Sequence, residues 1–153
     1  MAEEADRDEG GIVGDSVAVI GAGLVGIEAA IHQALRGKKV SIIEALPAAA
    51  RDANFRYART YKWKMEELGI QLFVNTKCEE ITPEGVRCTD AEGKPVFVPA
   101  DTEVIAIGMR PRENAAEALR DCAPEFRRIG NCVKIGQVMD SIRAGFDAGM
   151  FTE

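Results

Sequence analysis

One stretch constrains this chain more than any other: "VAVIGAGLVGIEAAIHQALRGKKVSIIEA", residues Val17 to Ala45. An apolar run from Ser16 to Ile20 leads directly into G-x-G-x-x-G at Gly21, Gly23 and Gly26. A helical pattern follows from Leu24 to Leu35, with Leu24, Ile27, Ile31 and Ala34 on one face. Gly37 stands at the usual helix stop, and Lys39 to Glu44 forms a second apolar strand. Strand, turn, helix and strand within about 30 residues make a crossover unit, which predicts parallel pairing.

Each glycine has its own reason. The first permits a tight turn, the second lets backbone approach a pyrophosphate, and the third lets helix pack on strand. The amides opening the helix, from Ala22 through Leu24 and Val25, then face an anion with the helix dipole behind them. An acid at the end of the next strand completes the pattern. Glu44 stands 23 positions after Gly21, close to the expected ~20, where a carboxylate accepts hydrogen bonds from a ribose diol. The residues after it are Ala45, Leu46 and Pro47, none basic. A 2′-phosphate needs a cation, so NAD is expected over NADP, with Arg51 the one residue that keeps NADP open.

The chain then predicts a helix from Arg51 to Leu68, with Phe55, Ala58, Tyr61, Met65 and Leu68 on its apolar stripe and Trp63 off it. Ile70 to Val74 reads as a third strand. Three short strands, Glu79 to Ile81, Gly85 to Thr89 and Pro95 to Val98, are punctuated by proline and glycine and read as an antiparallel meander. "TEVIAIG" is apolar throughout and reads as a fully buried central strand. Beyond the "MRPREN" loop we expect a helix at Ala115 to Cys122, a strand at Phe126 to Ile129, and a closing helix at Val138 to Met150.

Composition narrows the classes. With 153 residues, 46% hydrophobic and 29% charged, the chain has enough for one domain with a core and too little for two full ones. Net charge is -6 with no basic patch, which argues against nucleic acid and anionic membrane as partners. No apolar run approaches a membrane span or a signal peptide, so a cytoplasmic protein is expected. The acidic first 15 residues read as a disordered tail or linker. Cys78, Cys88, Cys122 and Cys132 form no C-x-x-C and read as reduced, mostly buried thiols. The single histidine, His32, sits mid-helix, so no histidine triad or cluster is available and no metal is expected.

The order of features resembles the nicotinamide domain of the pyridine nucleotide-disulfide oxidoreductase class: glycine turn, acid-ended strand, meander, then "ADTEVIAIGMRP". The "GLVGIE" form, rather than "GPAG", is typical of that domain rather than of the class's flavin domain. The resemblance implies an α/β, Rossmann-like three-layer FAD/NAD(P)-binding fold. Its central parallel sheet carries helices on one side and a three-stranded antiparallel meander on the other. It also implies that Glu28 points toward the nicotinamide–flavin junction and that Gly108 lies in a second loop close to the cofactor. The segment "IGNCVKIGQVMDSIRAGFDAG" resembles the closing part of the Old Yellow Enzyme-like group of 2,4-dienoyl-CoA reductase, enoate reductases and trimethylamine dehydrogenase. In that group the nicotinamide domain is inserted into a flavin/ADP-type domain, beside a flavin-bearing TIM barrel. Residues 16–112 are then the NAD(P)-binding domain, and residues 113–153 the returning piece of a second nucleotide domain whose first part is absent. Asn131 stands where the group usually has aspartate, and Ile135 where proline is common.

The expected function is therefore a dinucleotide-binding module of a multidomain flavin oxidoreductase. It presents NADH to FAD on a missing domain and is inactive as a fragment, with the missing flavin and barrel domains as its partners. A structural ADP-binding scaffold is the alternative, and a domain binding FAD alone a third. Phe126, Ile129, Val133 and Phe146 are expected to pair with another chain, including a second copy of this one, or to stay mobile.

Overall fold

The computed structural model describes residues 13–51 and 53–151. Most of the expected N-terminal tail, residues 1–12, lies outside the described residues. The chain divides into two compact units, one ending at Gly108 and one beginning at Met109.

The first unit is built on strand β1, Ser16–Ile20. It is followed by helix α1 (Leu24–Leu35), strand β2 (Lys39–Ile43), helix α2 (Phe55–Glu67) and strand β3 (Gln71–Phe73). Strands β4 (Lys77–Thr82), β5 (Gly85–Thr89) and β6 (Pro95–Pro99) come next, and β7 (Thr102–Ile105) closes the unit. The parallel sheet has the order β3-β2-β1-β7, and β4-β5-β6 form a separate antiparallel meander. This is the expected three-layer architecture.

The alternation of side chains along β1 holds the layers together. Val17 and Val19 pack with Ile27, Ala30, Val40, Ile42 and Met65 on the helix side. Ala18 and Ile20 pack with Ile43, Val86, Cys88, Val98 and Ala100 on the meander side. A strand buried on both faces must be apolar at every position, which is why β1 reads as a continuous run. Burying one Val or Ile side chain contributes about 1.5–3 kcal/mol.

Three expectations need correction in this unit. The run "TEVIAIG" is not a central strand; among the described residues β7 is an edge strand paired only with β1. Val104 and Ala106 pack toward the helix-side core, but Ile105 and Ile107 are 64% and 75% exposed. Their apolar character hid an ordinary alternation, because the meander does not cover this edge. Helix α2 begins at Phe55 rather than Arg51. The Asn54 side chain accepts the Arg56 N–H at 3.0 Å and caps the helix, while the preceding loop folds back to donate Ala50 N–H to the Ala22 carbonyl at 2.8 Å. Ala50 takes a left-handed φ of 54° to do so and is buried. The third correction is β4, which is longer than expected and carries an irregularity between Cys78 and Glu80. Trp63 is exposed, as its place off the stripe implied.

The start of β1 is locked to the start of β7. The Ser16 N–H and hydroxyl both donate to Asp101 Oδ2, at 2.9 and 2.6 Å, and the Asp101 N–H donates back to Ser16 Oγ at 3.0 Å. Gly14 N–H donates to Thr102 Oγ1 at 2.9 Å, so residues 13–15 are tied to the sheet.

The second unit holds a short helix α3 (Glu113–Glu117), 3-10 turns at Arg120–Cys122 and Gly130–Cys132, and helix α4 (Val138–Met150). The helix expected at Ala115–Cys122 is thus two shorter pieces. Phe126–Ile129 forms no strand; Ile129 is extended, but no strand pairs with it among the described residues. The Arg127 guanidinium donates to the carbonyls of Ala148 and Phe151 and closes the C-terminal end of α4. At the other end, Gln137 and Asp140 form a reciprocal capping box. Ile129, Val133 and Phe146 are exposed, and Phe126 is half-buried beneath the Arg120 guanidinium. Among the described residues no helix is long and apolar enough to cross a membrane.

The lock between Ser16 and Asp101 has a pH signature. The Ser16 hydroxyl, then its amide, holds the Asp101 carboxyl below the ordinary carboxylate range. Its contribution is therefore present above the unfolded value of about 3.9 and lost as pH falls through the lowered folded value. Thermal melts of the parent chain are expected to decline below about pH 4, with Asp101→Asn showing a shallower decline. Identical slopes for the two proteins would show that the lock carries no acid sensitivity.

Candidate nucleotide-binding site

Register brings the site together. Ile20 pairs with Ile43 and with Ile105, and Ile43 pairs with Phe73. The carboxyl ends of the four parallel strands are therefore level. Gly21, Glu44 and Gly108 all follow these ends within three residues, at the edge where open α/β sheets bind ligands.

The three glycines of the turn are required for three different reasons. Gly21 has φ 104°, and a Cβ on it would lie 2.5 Å from the Ala106 carbonyl oxygen. A Cβ on Gly26 would lie 2.0 Å from the Gly21 carbonyl oxygen and 3.2 Å from the Ala106 Cβ. Gly26 thus lets α1 touch both β1 and the chain leaving β7. Around Gly23 there is nothing within 4 Å of an added Cβ. Its bareness serves no contact inside the protein, and it leaves open space above the helix start. Gly23 is also the N-cap of α1, with no side chain capping the first turn and no acid in it. Ala22 is buried, Leu24 half-buried and Val25 exposed. A cradle of this shape fits a pyrophosphate.

Glu44 faces this turn. Its Oε2 accepts the Ala22 N–H at 2.6 Å and its Oε1 accepts the Leu46 N–H at 2.8 Å. Its own backbone is fixed on both sides, with the N–H donating to Phe73 and the carbonyl accepting from Thr76, each at 2.8 Å. Each carboxylate oxygen keeps a lone pair for an outside donor such as a ribose hydroxyl. Sequence reasoning placed Glu44 at the ribose but missed its bond to the glycine turn.

The structure brings Glu28 to Tyr61, a pairing the sequence did not signal. The Tyr61 hydroxyl donates to Glu28 Oε1 at 2.6 Å and bridges α1 to α2. That bond, more than burial, pushes the Tyr61 hydroxyl above its usual range. The i, i+4 spacing places Leu24 and Glu28 on one face of α1. Gly108 has φ 103°, is exposed, and has nothing within 4 Å of an added Cβ. Ala50, whose amide grips Ala22, is the other part of the site that no motif announced. His32 is exposed beside Arg36. Among the described residues no three His, Cys, Asp or Glu side chains group to hold a metal.

Residues 2–135 match the family described as pyridine nucleotide-disulphide oxidoreductase, and the chain belongs to it. It is similar to an NADH oxidase of Thermoanaerobacter brockii, 35% identical over 142 residues, which cover 92% of this chain and 21% of that one. A bilirubin reductase of Mediterraneibacter gnavus is 35% identical over 116 residues, covering 76% of this chain and 18% of that one. Among solved structures, a 2-naphthoyl-CoA reductase in complex with 2-naphthoyl-CoA superposes with a TM-score of 0.85 at 30% identity, covering 92% of this chain and 22% of that one. The chain spans about a fifth of the length of these relatives. The family resemblance drawn from the sequence holds.

The glycines separate folding from binding. Gly26→Ala forces the turn apart and is expected to cost about 3 kcal/mol or more of stability. Gly23→Ala meets no atom and should lie within about 0.5 kcal/mol of the parent's stability, while its affinity for a dinucleotide falls about tenfold or more. Melting curves and calorimetric titrations on both variants check this; equal stability losses would contradict it.

Proposed function

We propose that this member of the pyridine nucleotide-disulphide oxidoreductase family binds NAD in preference to NADP. In this reading it presents NADH to a flavin held by other domains of a larger protein. When bound there, NADH supplies a hydride and the flavin accepts it. Gly21 shapes the turn, Gly23 leaves room for the pyrophosphate, and the first amides of α1, at Leu24 and Val25, meet its charge. Glu44 takes the adenosine ribose hydroxyls. Gly108 leaves room beside the far half of the cofactor, and Glu28 serves the nicotinamide end.

The observation that carries the reading is the doubly anchored Glu44. Its carboxylate is held by two backbone amides at the exit of β2, and the residues that follow, Ala45, Leu46 and Pro47, are exposed and uncharged. A 2′-phosphate here meets a fixed negative charge with no cation in the segment beside it, which favours the 2′-hydroxyl.

A second reading has its own observation. Glu28, the one acid assigned to the nicotinamide half, already accepts a hydrogen bond from Tyr61. A scaffold that grips ADP and leaves the nicotinamide unread is consistent with that bond.

Parallel calorimetric titrations with NADH, NADPH, ADP and FAD decide between the readings. NADH is expected to bind about tenfold or more tighter than NADPH and ADP. Glu44→Ala should weaken NADH by about tenfold and also lower stability by about 1–2 kcal/mol, since the Ala22 and Leu46 amides lose their acceptor. ADP binding as tightly as NADH selects the scaffold, and FAD binding above both removes the nicotinamide assignment.

A further inference from the structure

The meander holds chemistry that the nucleotide site does not use: two thiols opposite one another on β4 and β5. Cys78 and Cys88 are Cα partners in the antiparallel ladder. The irregularity in β4 puts them there. Glu80 pairs with Arg87, and the register then shifts so that Cys78 pairs with Cys88, leaving Glu79 as an extra residue. In an unbroken ladder Glu79 stands opposite Cys88, and Cys78 falls on the outer face with Arg87. With the bulge, Glu79 stays outside near the Lys77 ammonium, Arg87 and Glu80 pair outside at 2.6 Å, and Cys78 turns inward. Cys78 there packs against the cluster of Cys88, Val86 and Val98.

Residues directly opposite in such a ladder have Cα atoms about 4.5–5.5 Å apart, and disulfides span Cα separations of about 4.4–6.8 Å. The register therefore puts the two cysteines within bridging reach. Their access differs. Cys78 lies on an edge strand of the meander and is half-buried, whereas Cys88 lies on the middle strand and is 3% exposed.

We propose that Cys78 and Cys88 are an oxidation site that closes to an intrachain disulfide on reaction with a low-molecular-weight disulfide such as oxidised glutathione. The Cys78 thiolate attacks one sulfur of the small disulfide, whose S–S bond breaks, and the departing thiolate takes up a proton. The Cys88 thiol then gives up its proton and attacks the Cys78 sulfur. The mixed S–S bond breaks and the second small thiol leaves. The two cysteines lose two electrons and two protons, and the small disulfide gains them as two thiols. Burial, then the neighbouring Glu79 carboxylate, raises the Cys78 thiol. Burial, with Cys78 and Glu79 adding to it, pushes the Cys88 thiol up to about 11. Val96, opposite Cys88 on β6, brings no charge. Little thiolate is present at neutral pH, so the exchange is slow there and quickens as pH rises.

The test uses the whole chain, incubated with oxidised glutathione at mildly alkaline pH and then alkylated. Mass spectrometry is expected to show the loss of two hydrogens and a peptide linking Cys78 to Cys88. The melting temperature should rise by about 5 °C, with NADH affinity unchanged because the meander lies across the sheet from α1. The Cys122→Ser/Cys132→Ser double variant should behave like the parent, and Cys78→Ser should form no bridge. A glutathione adduct that persists on Cys78, a bridge to Cys122 or Cys132, or four unreacted thiols would each overturn the assignment.

Discussion

The contact on which the first unit depends is the approach of α1 to the chain it has just left. At Gly26 the helix comes so close to the Gly21 carbonyl that a single added carbon would stand 2.0 Å away. Ala106, the residue after β7, closes the same point from the other side. Only with this contact made does the helix lie flat enough for Ile27 and Ala30 to reach Val17, Val19 and Val40. The contact also sets the angle at which the first turn of α1 opens toward solvent. Packing and binding geometry are thus two results of one constraint.

Glu44 extends that constraint to the next strand. Its carboxylate joins the glycine turn to the segment leaving β2, and Ala50 returns from that segment to the Ala22 carbonyl. The Gly21 N–H, in turn, donates to the Ile43 carbonyl. Two adjacent strand ends are stitched by bonds that all involve the glycine turn. The residue whose charge suits a ribose is therefore also the one that holds the turn's amide in place before anything binds.

What the sequence made legible was whatever depends on local period. The unit β1-α1-β2 follows from alternation, a helical stripe and glycines at fixed offsets, and it emerged with correct bounds for β1 and α1. Glu44 was legible because spacing alone puts it at the strand end. Features decided by neighbours distant in sequence were not. An apolar run looks the same in a central strand and at an exposed edge, so β7 was misplaced. The bond between Tyr61 and Glu28 depends on how α2 lies beside α1. The late start of α2 depends on Ala50 turning back to Ala22. The facing of Cys78 and Cys88 depends on one extra residue in β4, which no alternation could reveal. In the second unit, Phe126–Ile129 reads as a strand from its residues, but of these Ile129 is extended and no strand pairs with it among the described residues.

The placement of β7 beside β1 has a consequence for how the unit is made. The pairing of Val17 with Thr102 joins residues 85 positions apart, and such distant closure is what slows folding. As the chain emerges N-terminus first, β1, α1, β2 and α2 are available while the far wall of the glycine turn has yet to be synthesised. Ala106 supplies that wall, together with an N–H to the Ile20 carbonyl at 2.8 Å. Synthesis thus completes the turn only when Ala106 follows, well after the glycines themselves have been made. A nascent chain carrying the complete glycine signature is still a chain without a completed nucleotide turn.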